Sequence, residues 1–381
     1  MGVKEHLQRL ERHYPDVWER MEREITAVST FTLFKQLSDN YSPTLTVSRV
    51  QGPLVESLLA DTSVKVDRSL RQSGTIGLTI GQEPAPVWFT GHADICSYLT
   101  GNWAGNGYPL TPFCMTRADA GARTAVALAS PTQPTQPTPL TKLAHGHMIT
   151  REDGSTFFAT DNPNLPLWTR VVYDIDATWN RETDEIYGYI DNQATCAALI
   201  LAARVLSHYN VNVLLLLNDE EEGPVDKGNQ GFSRAMLRLF NRTPLHQLPN
   251  AVLNGDVHQA ESRIDEGRDS LMGKGALFSG ASSLTRGAVT PPQLLDFARD
   301  LSTELAAHGI QLSENDSYVG RSDDISAMQF TQNVMLFGFA GTSSHFNRTP
   351  TSRCADLVNF AKTVVVYALL AQDAAWREAY L

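Results

Sequence analysis

The run VNVLLLL at 211–217 is short, nearly all aliphatic and bounded by polar turn residues, so it reads as a strand buried on both faces. Similar runs stand at 86–90 (PVWFT), 250–253 (NAVL) and 333–339 (NVMLFGF). Segments of helical period separate or flank them, at 3–38, 193–209, 231–240, 291–309 and 354–372. Strands divided by long helices must pair in parallel through crossovers, which predicts an α/β fold with a doubly wound, mixed sheet flanked by helices. Residues 108–188 break the rhythm: TAVALAS, HGHMIT, STFFAT, TRVVYDIDA and EIYGYI are β-type runs divided by turns. The chain is therefore expected to hold a catalytic-type α/β domain at 1–107 and 189–381, with a small barrel-like all-β domain, 108–188, inserted into it. The Pro-Thr-Gln stretch at 130–140 predicts an extended surface loop within the insert.

Charge and cysteine usage narrow the function. A formal net charge of −11 over 381 residues argues against a nucleic-acid partner or an anionic membrane surface, both of which call for a basic face. No apolar run is long enough to span a bilayer. The charged N-terminal stretch, broken at Pro15, lacks the apolar core of a signal peptide. Cys96, Cys114, Cys196 and Cys354 show no paired metal-site spacing and read as buried free thiols of a reducing, cytoplasmic compartment.

In open α/β sheets ligands sit beyond the carboxyl ends of the strands. PVWFT is followed by Gly91-His92-Ala93-Asp94, and VNVLLLL by Asn218-Asp219-Glu220-Glu221-Glu222-Gly223. NAVL runs on to Asn254-Gly255-Asp256-Val257-His258, and NVMLFGF to a loop ending in Ser344-His345. Asp191-Asn192 stands where the chain enters the helix at 193–209. Each has an ordinary alternative: a packing histidine, a helix N-cap, a solvated acidic loop. Together they collect imidazole and carboxylate donors at one end of one sheet, a set suited to zinc, cobalt or manganese rather than to a soft thiolate site.

The order HxD, Asp-Asn, EExG, Asp, His resembles the co-catalytic dinuclear metallopeptidases. With its β insert it is most similar to the glutamyl and tetrahedral aminopeptidases. GDVHQAE and GFAGTSSHF look like that family's segments around its ligand Asp and late ligand His. The resemblance implies two divalent cations per chain, with His92 and Asp256 on one, Glu221 and His345 on the other, and Asp191 bridging them. It further implies Glu220 as general base, Asp94 orienting His92, a cis Asp191–Asn192 peptide, and a homo-oligomer, often dodecameric. Reading the pair as Glu220/Glu221 rather than Glu221/Glu222 rests on aligning Gly223 with the Gly of EExG. A cation pair of this kind makes water acidic enough to attack an amide at neutral pH.

The expected function is hydrolysis of peptide bonds, as an aminopeptidase on short peptides. The alternatives are a metal-dependent amidohydrolase or deacylase acting on a small N-acyl or cyclic amide, or an inactive binding scaffold. Glu222, Asp323 and Asp324 are the spare carboxylates for a substrate α-amine, and Arg321 or Arg348 for a substrate carboxylate. His145 and His147 read as one exposed strand face, and His258 as a neighbour of the metal ligand Asp256.

Overall fold

The computed structural model describes residues 2–115, 119–131, 139–223, 233–260, 269–346 and 348–381. Four parallel strands form its centre, in the spatial order Val213–Asn218, Val87–His92, Ala251–Gln259, Val334–Thr342. They belong to an 11-stranded mixed sheet whose flanking strands pair antiparallel, apart from Leu312–Glu314, which runs parallel to Ala276–Ser279, so the fold is the mixed, helix-flanked sheet that the sequence predicts. Chain order reverses between Val87–His92 and its two neighbours, the kind of switch point outside whose carboxyl ends open α/β sheets hold their ligands.

Both faces of this sheet are covered, which is why its strands read as unbroken aliphatic runs. Val213, Leu215 and Leu217 point into one core with the helices Ile190–Leu206 and Cys354–Leu370. Leu214 and Leu216 point the other way, against Trp88, Met236, Leu239 and Phe240. Ile190–Leu206 and Cys354–Leu370 are buried on nearly every side, in keeping with their almost uninterrupted apolar sequences. The N-terminal segment folds as three helices, Val3–His13, Val17–Glu24 and Ala27–Asp39, with the first break at Pro15.

The insert closes a six-stranded antiparallel barrel from Tyr98–Thr100 to Arg170–Tyr173. These bounds differ from the expected 108–188. The barrel starts earlier, and the strands Thr178–Asn180 and Glu185–Tyr187 join the edge of the large sheet. Short strands of similar composition do not announce which sheet they pair with; partner choice is a long-range matter. The Pro-Thr-Gln stretch lies, for residues 132–138, outside the described residues. No single described helix is long and apolar enough to cross a membrane.

Glycines set how closely the layers approach beside the strand ends. A Cβ at Gly91 would lie 2.4 Å from Thr195 Cγ2 on the buried helix, and one at Gly255 would lie 2.9 Å from the same atom. Gly338, paired in register with Asp256, leaves still less room: its Cβ would fall 1.8 Å from the Asp256 carbonyl oxygen. Gly338→Ala is therefore expected to lower the urea midpoint with unchanged slope, a loss of about 1–3 kcal/mol. A midpoint equal to wild type would contradict the close packing.

Candidate metal centre

Four elements deliver the predicted residues to one point. His92 ends its strand, level with Asn218 across the parallel ladder. Asp256 lies two residues beyond the Asn254–Thr90 pair, as His92 lies two beyond Thr90. Asp191 enters from the head of the buried helix, where the Asp191–Asn192 peptide is cis and Asn192 Nδ2 donates to the Gly255 carbonyl at 3.0 Å. His345 follows the strand Val334–Thr342.

Asp191 stands between the two imidazoles. Its Oδ1 is 2.9 Å from His92 Nε2, and its Oδ2 is 3.7 Å from His345 Nε2. His92 Nε2 also faces Glu221 Oε2 at 3.7 Å and Asp256 Oδ1 at 3.9 Å. The other nitrogen of His92 lies 3.1 Å from the Asp94 carbonyl and 3.5 Å from the Asp94 carboxylate. Around His345, Nδ1 is 2.6 Å from the Met115 carbonyl, 3.4 Å from Cys96 Sγ and 4.0 Å from Glu222 Oε2. His92 and Asp94 are sealed, at 1% and 0% side-chain exposure, whereas Asp191, Glu221, Asp256 and His345 expose 10–12%. The cluster thus has a closed back and one edge open to solvent.

The glutamate loop departs from an extended course. Glu220 takes φ +59°, a left-handed turn immediately after the strand. Its carboxylate pairs with Arg238 and lies 3.5 Å from Arg234, and none of its hydrogen bonds or ion pairs reaches a histidine of the cluster. Beyond the turn, Glu221 N and Glu222 N both donate to the Asp94 carboxylate, each at 3.2 Å, and Thr44 Oγ1 donates to it at 2.8 Å. Asp94 thus acts as the post around which the loop winds, and Glu221 and Glu222 are the carboxylates turned toward the histidines. Asp219 accepts from the backbone N–H groups of Leu45, Val47 and Glu220, tying the loop to the helix Val47–Leu58. The expected pairing of Glu220 with Glu221 rests on aligning Gly223 with the Gly of EExG; in the structure the left-handed Glu220 turns its own carboxylate to Arg238.

The remaining residues singled out in the sequence lie elsewhere. Asp323 is buried and accepts from Asn218 Nδ2 and Ser233 Oγ, and Asp324 accepts from Ser282 Oγ and the N–H groups of Ala288 and Ser322, so neither offers a carboxylate to a substrate amine. Arg321 and Arg348 are exposed. His145 and His147 are exposed on the barrel, as expected. His258 stacks on Tyr318 at 4.3 Å and accepts from Asn315 Nδ2; burial pushes it down to about 3, and it is a neutral packing residue. All four cysteines are free and buried, but Cys96 sits inside the cluster, with Sγ 2.9 Å from Glu222 Oε1. No cysteine spacing motif marks it; its position two residues after Asp94 is the signal that was there to read.

The donor set suits cations. Burial, with Asp256, Asp323 and Asp191 nearby, pushes Glu221 well above the carboxylate range, although His92 opposes it. Burial and Asp191 push Glu222 up likewise, and Asp256 to about 7. His92 is pushed down by burial but up, and by more, by Glu221, Asp191 and Asp94. Four carboxylates crowded on two imidazoles stay ionised together only with added positive charge among them. Imidazole and carboxylate oxygen are the donors that zinc, cobalt and manganese accept.

A pH dependence follows for the metal-free protein. Glu221, Glu222, Asp256 and Asp323 (the last pushed to about 6 by burial) hold protons in the folded state at pH values where the unfolded chain has released them. Stability then falls as pH rises from about 4 to about 7. His92, with its raised value, adds the same sign, and His258 opposes it only below about 6.5. Thermal unfolding of chelator-treated protein should show a midpoint that drops across this window. Divalent cation at a hundred times its dissociation constant should raise stability by about 2.7 kcal/mol per site and reverse the trend.

No protein-family model matches the sequence, and no curated protein does. The fold has close counterparts among solved structures. A TET aminopeptidase from a marine sediment Thaumarchaeota archaeon superposes with a TM-score of 0.71 at 14% identity, covering 93% of this chain and 99% of that one. This is the TET aminopeptidase fold. The TET1 peptidase of Pyrococcus horikoshii, described as assembling into a tetrahedron or a large octahedral shell, gives 0.66 at 14% identity over 89% of this chain and 99% of its own. An M18-family aminopeptidase from Thermotoga maritima gives 0.62 at 12% identity over 93% and 98%. The fold likeness spans both the large sheet and the barrel.

Proposed function

We propose that the chain is a dinuclear metal-dependent aminopeptidase acting on short peptides. The observation that carries the reading is Asp191, whose two oxygens turn to His92 on one side and His345 on the other, at the open edge of a buried donor cluster. His92 and Asp256 would hold one cation, His345 and Glu222 the other, with Asp191 shared. Zinc fits this set, and cobalt or manganese would also be accepted. When bound, the cations would supply Lewis-acid activation of water and of the scissile carbonyl.

The roles drawn from EExG move down by one residue in this reading. Glu221 takes the place expected of Glu220 as general base: it accepts a proton from the attacking water and passes it to the leaving amine. Glu222 takes the place expected of Glu221 as a cation ligand. Asp94 positions, holding the Glu221–Glu222 backbone by two N–H groups and His92 through its Nδ1 side. The dodecamer and the tetrahedral or octahedral shells described for TET neighbours support a homo-oligomer here also, which light scattering on the full chain would test.

The deciding experiment measures metal content of protein purified without chelator, alongside hydrolysis of matched peptides with free and blocked amino termini. About two divalent ions per chain with preference for free amines is the expected result. Preference for blocked amines would replace the aminopeptidase by a deacylase, and a protein that takes up no zinc, cobalt or manganese would end the catalytic reading.

A further inference from the structure

We infer that Cys96 is a sulfur ligand at the His345 end of the centre, so that this end pairs a thiolate with imidazole and carboxylate while the His92 end has nitrogen and oxygen donors alone. The inference rests on the dinuclear reading above. Cys96, Glu222 and His345 bring one donor atom each to within 4.8 Å of one another, a grouping separate from that of His92, Asp191 and Asp256. Sγ is 3.4 Å from His345 Nδ1 and 2.9 Å from Glu222 Oε1. Ligands about 2.0–2.3 Å from a tetrahedral cation stand roughly 3.5 Å from each other, so the thiol stands at ligand spacing from the Nδ1 side of the ring, the side that also meets the Met115 carbonyl, and a cation shared with Asp191, which faces Nε2, would be met by a turn of the His345 ring.

A buried cysteine ordinarily serves as a small apolar filler. Here the residue borders the apolar cluster of Tyr41, Ile95 and Phe346, but its sulfur faces a carboxylate and an imidazole. The backbone also holds it there. Tyr98 pairs with Pro112 in the barrel, and Phe113 N donates to the Ser97 carbonyl at 2.8 Å, so the same ladder sets Cys114 opposite Cys96. Cys114 is fully buried, and its place across the ladder backs Cys96 away from solvent. On coordination the S–H bond gives way to a sulfur–cation bond and the proton leaves to water. A sulfur donor would bias this end toward thiophilic ions, zinc, cobalt and cadmium, over manganese.

Cobalt(II) titration of the metal-free full chain reads this without recourse to activity. Wild type carrying about two cobalt ions per chain should show a strong near-ultraviolet sulfur-to-cobalt charge-transfer band beside the weaker ligand-field bands. Cys114→Ser should keep that band. Cys96→Ser should lose it while the His92 end still fills, and its preference for zinc over manganese should fall by roughly tenfold or more. Two bound cobalt ions in wild type without the band, or a band that survives Cys96→Ser, overturns the sulfur ligand and leaves the dinuclear reading standing. The wild-type spectrum decides even should Cys96→Ser not fold. Failure of wild type to take up cobalt at all overturns both, and metal analysis tells the two failures apart.

Discussion

Asp191→Ala is expected to empty the site of cations and abolish hydrolysis in one step. The side chain is the only described group whose two oxygens face both imidazoles, at 2.9 and 3.7 Å. Without it the two ends of the cluster no longer share an anion. The remaining carboxylates, held high by burial, would then be neutralised more readily by protons than by metal. Groups that act as a unit fail as a unit, so turnover should fall on the order of 10⁴-fold or more. Metal content by mass spectrometry and turnover should drop together, while circular dichroism keeps the wild-type helical signal. A variant that keeps its metal and more than a tenth of its turnover would show that Asp191 is not the bridge.

Glu221→Gln should separate chemistry from metal binding. The amide keeps the size of the side chain and cannot take up a proton, so kcat should fall roughly 10²- to 10⁴-fold with cation content intact. Glu222→Gln should instead weaken the cation at the His345 end. Glu220→Gln should leave kcat near wild type and act on stability, because Glu220 is committed to Arg238 and Arg234. The reverse result, a collapse of kcat in Glu220→Gln with normal turnover in Glu221→Gln, would return the base to the residue that alignment on Gly223 selects.

Much of this architecture was legible in the chain because its signals are local. VNVLLLL announces a strand buried on both faces, and Leu214 and Leu216 do turn one way while Val213, Leu215 and Leu217 turn the other. The helices Ile190–Leu206 and Cys354–Leu370 carry apolar sequence that needs burial whatever it packs against. Given a parallel sheet, residues that follow strands must gather at one end of it, so the convergence of His92, Asp256 and His345 needed no coordinates.

Other features depend on partners distant in sequence. Thr178–Asn180 and Glu185–Tyr187 have the same short β character as the barrel strands, and only their pairing with Thr351–Arg353 assigns them to the large sheet. Cys96 carries no motif, and is brought to the cluster only because the barrel and the loop at His345 close upon it. The glutamates show the division most sharply. That NDEEEG is a candidate for the chemistry follows from its place after a buried strand, since three adjacent carboxylates gain nothing there from packing. Which glutamates face the histidines is decided by one backbone turn at Glu220 and by Asp94, more than a hundred residues earlier in the chain, accepting the next two N–H groups. Periodicity reports burial, which is a property of neighbouring residues; the aim of a side chain at a turn is set by hydrogen bonds to whatever the fold brings beside it.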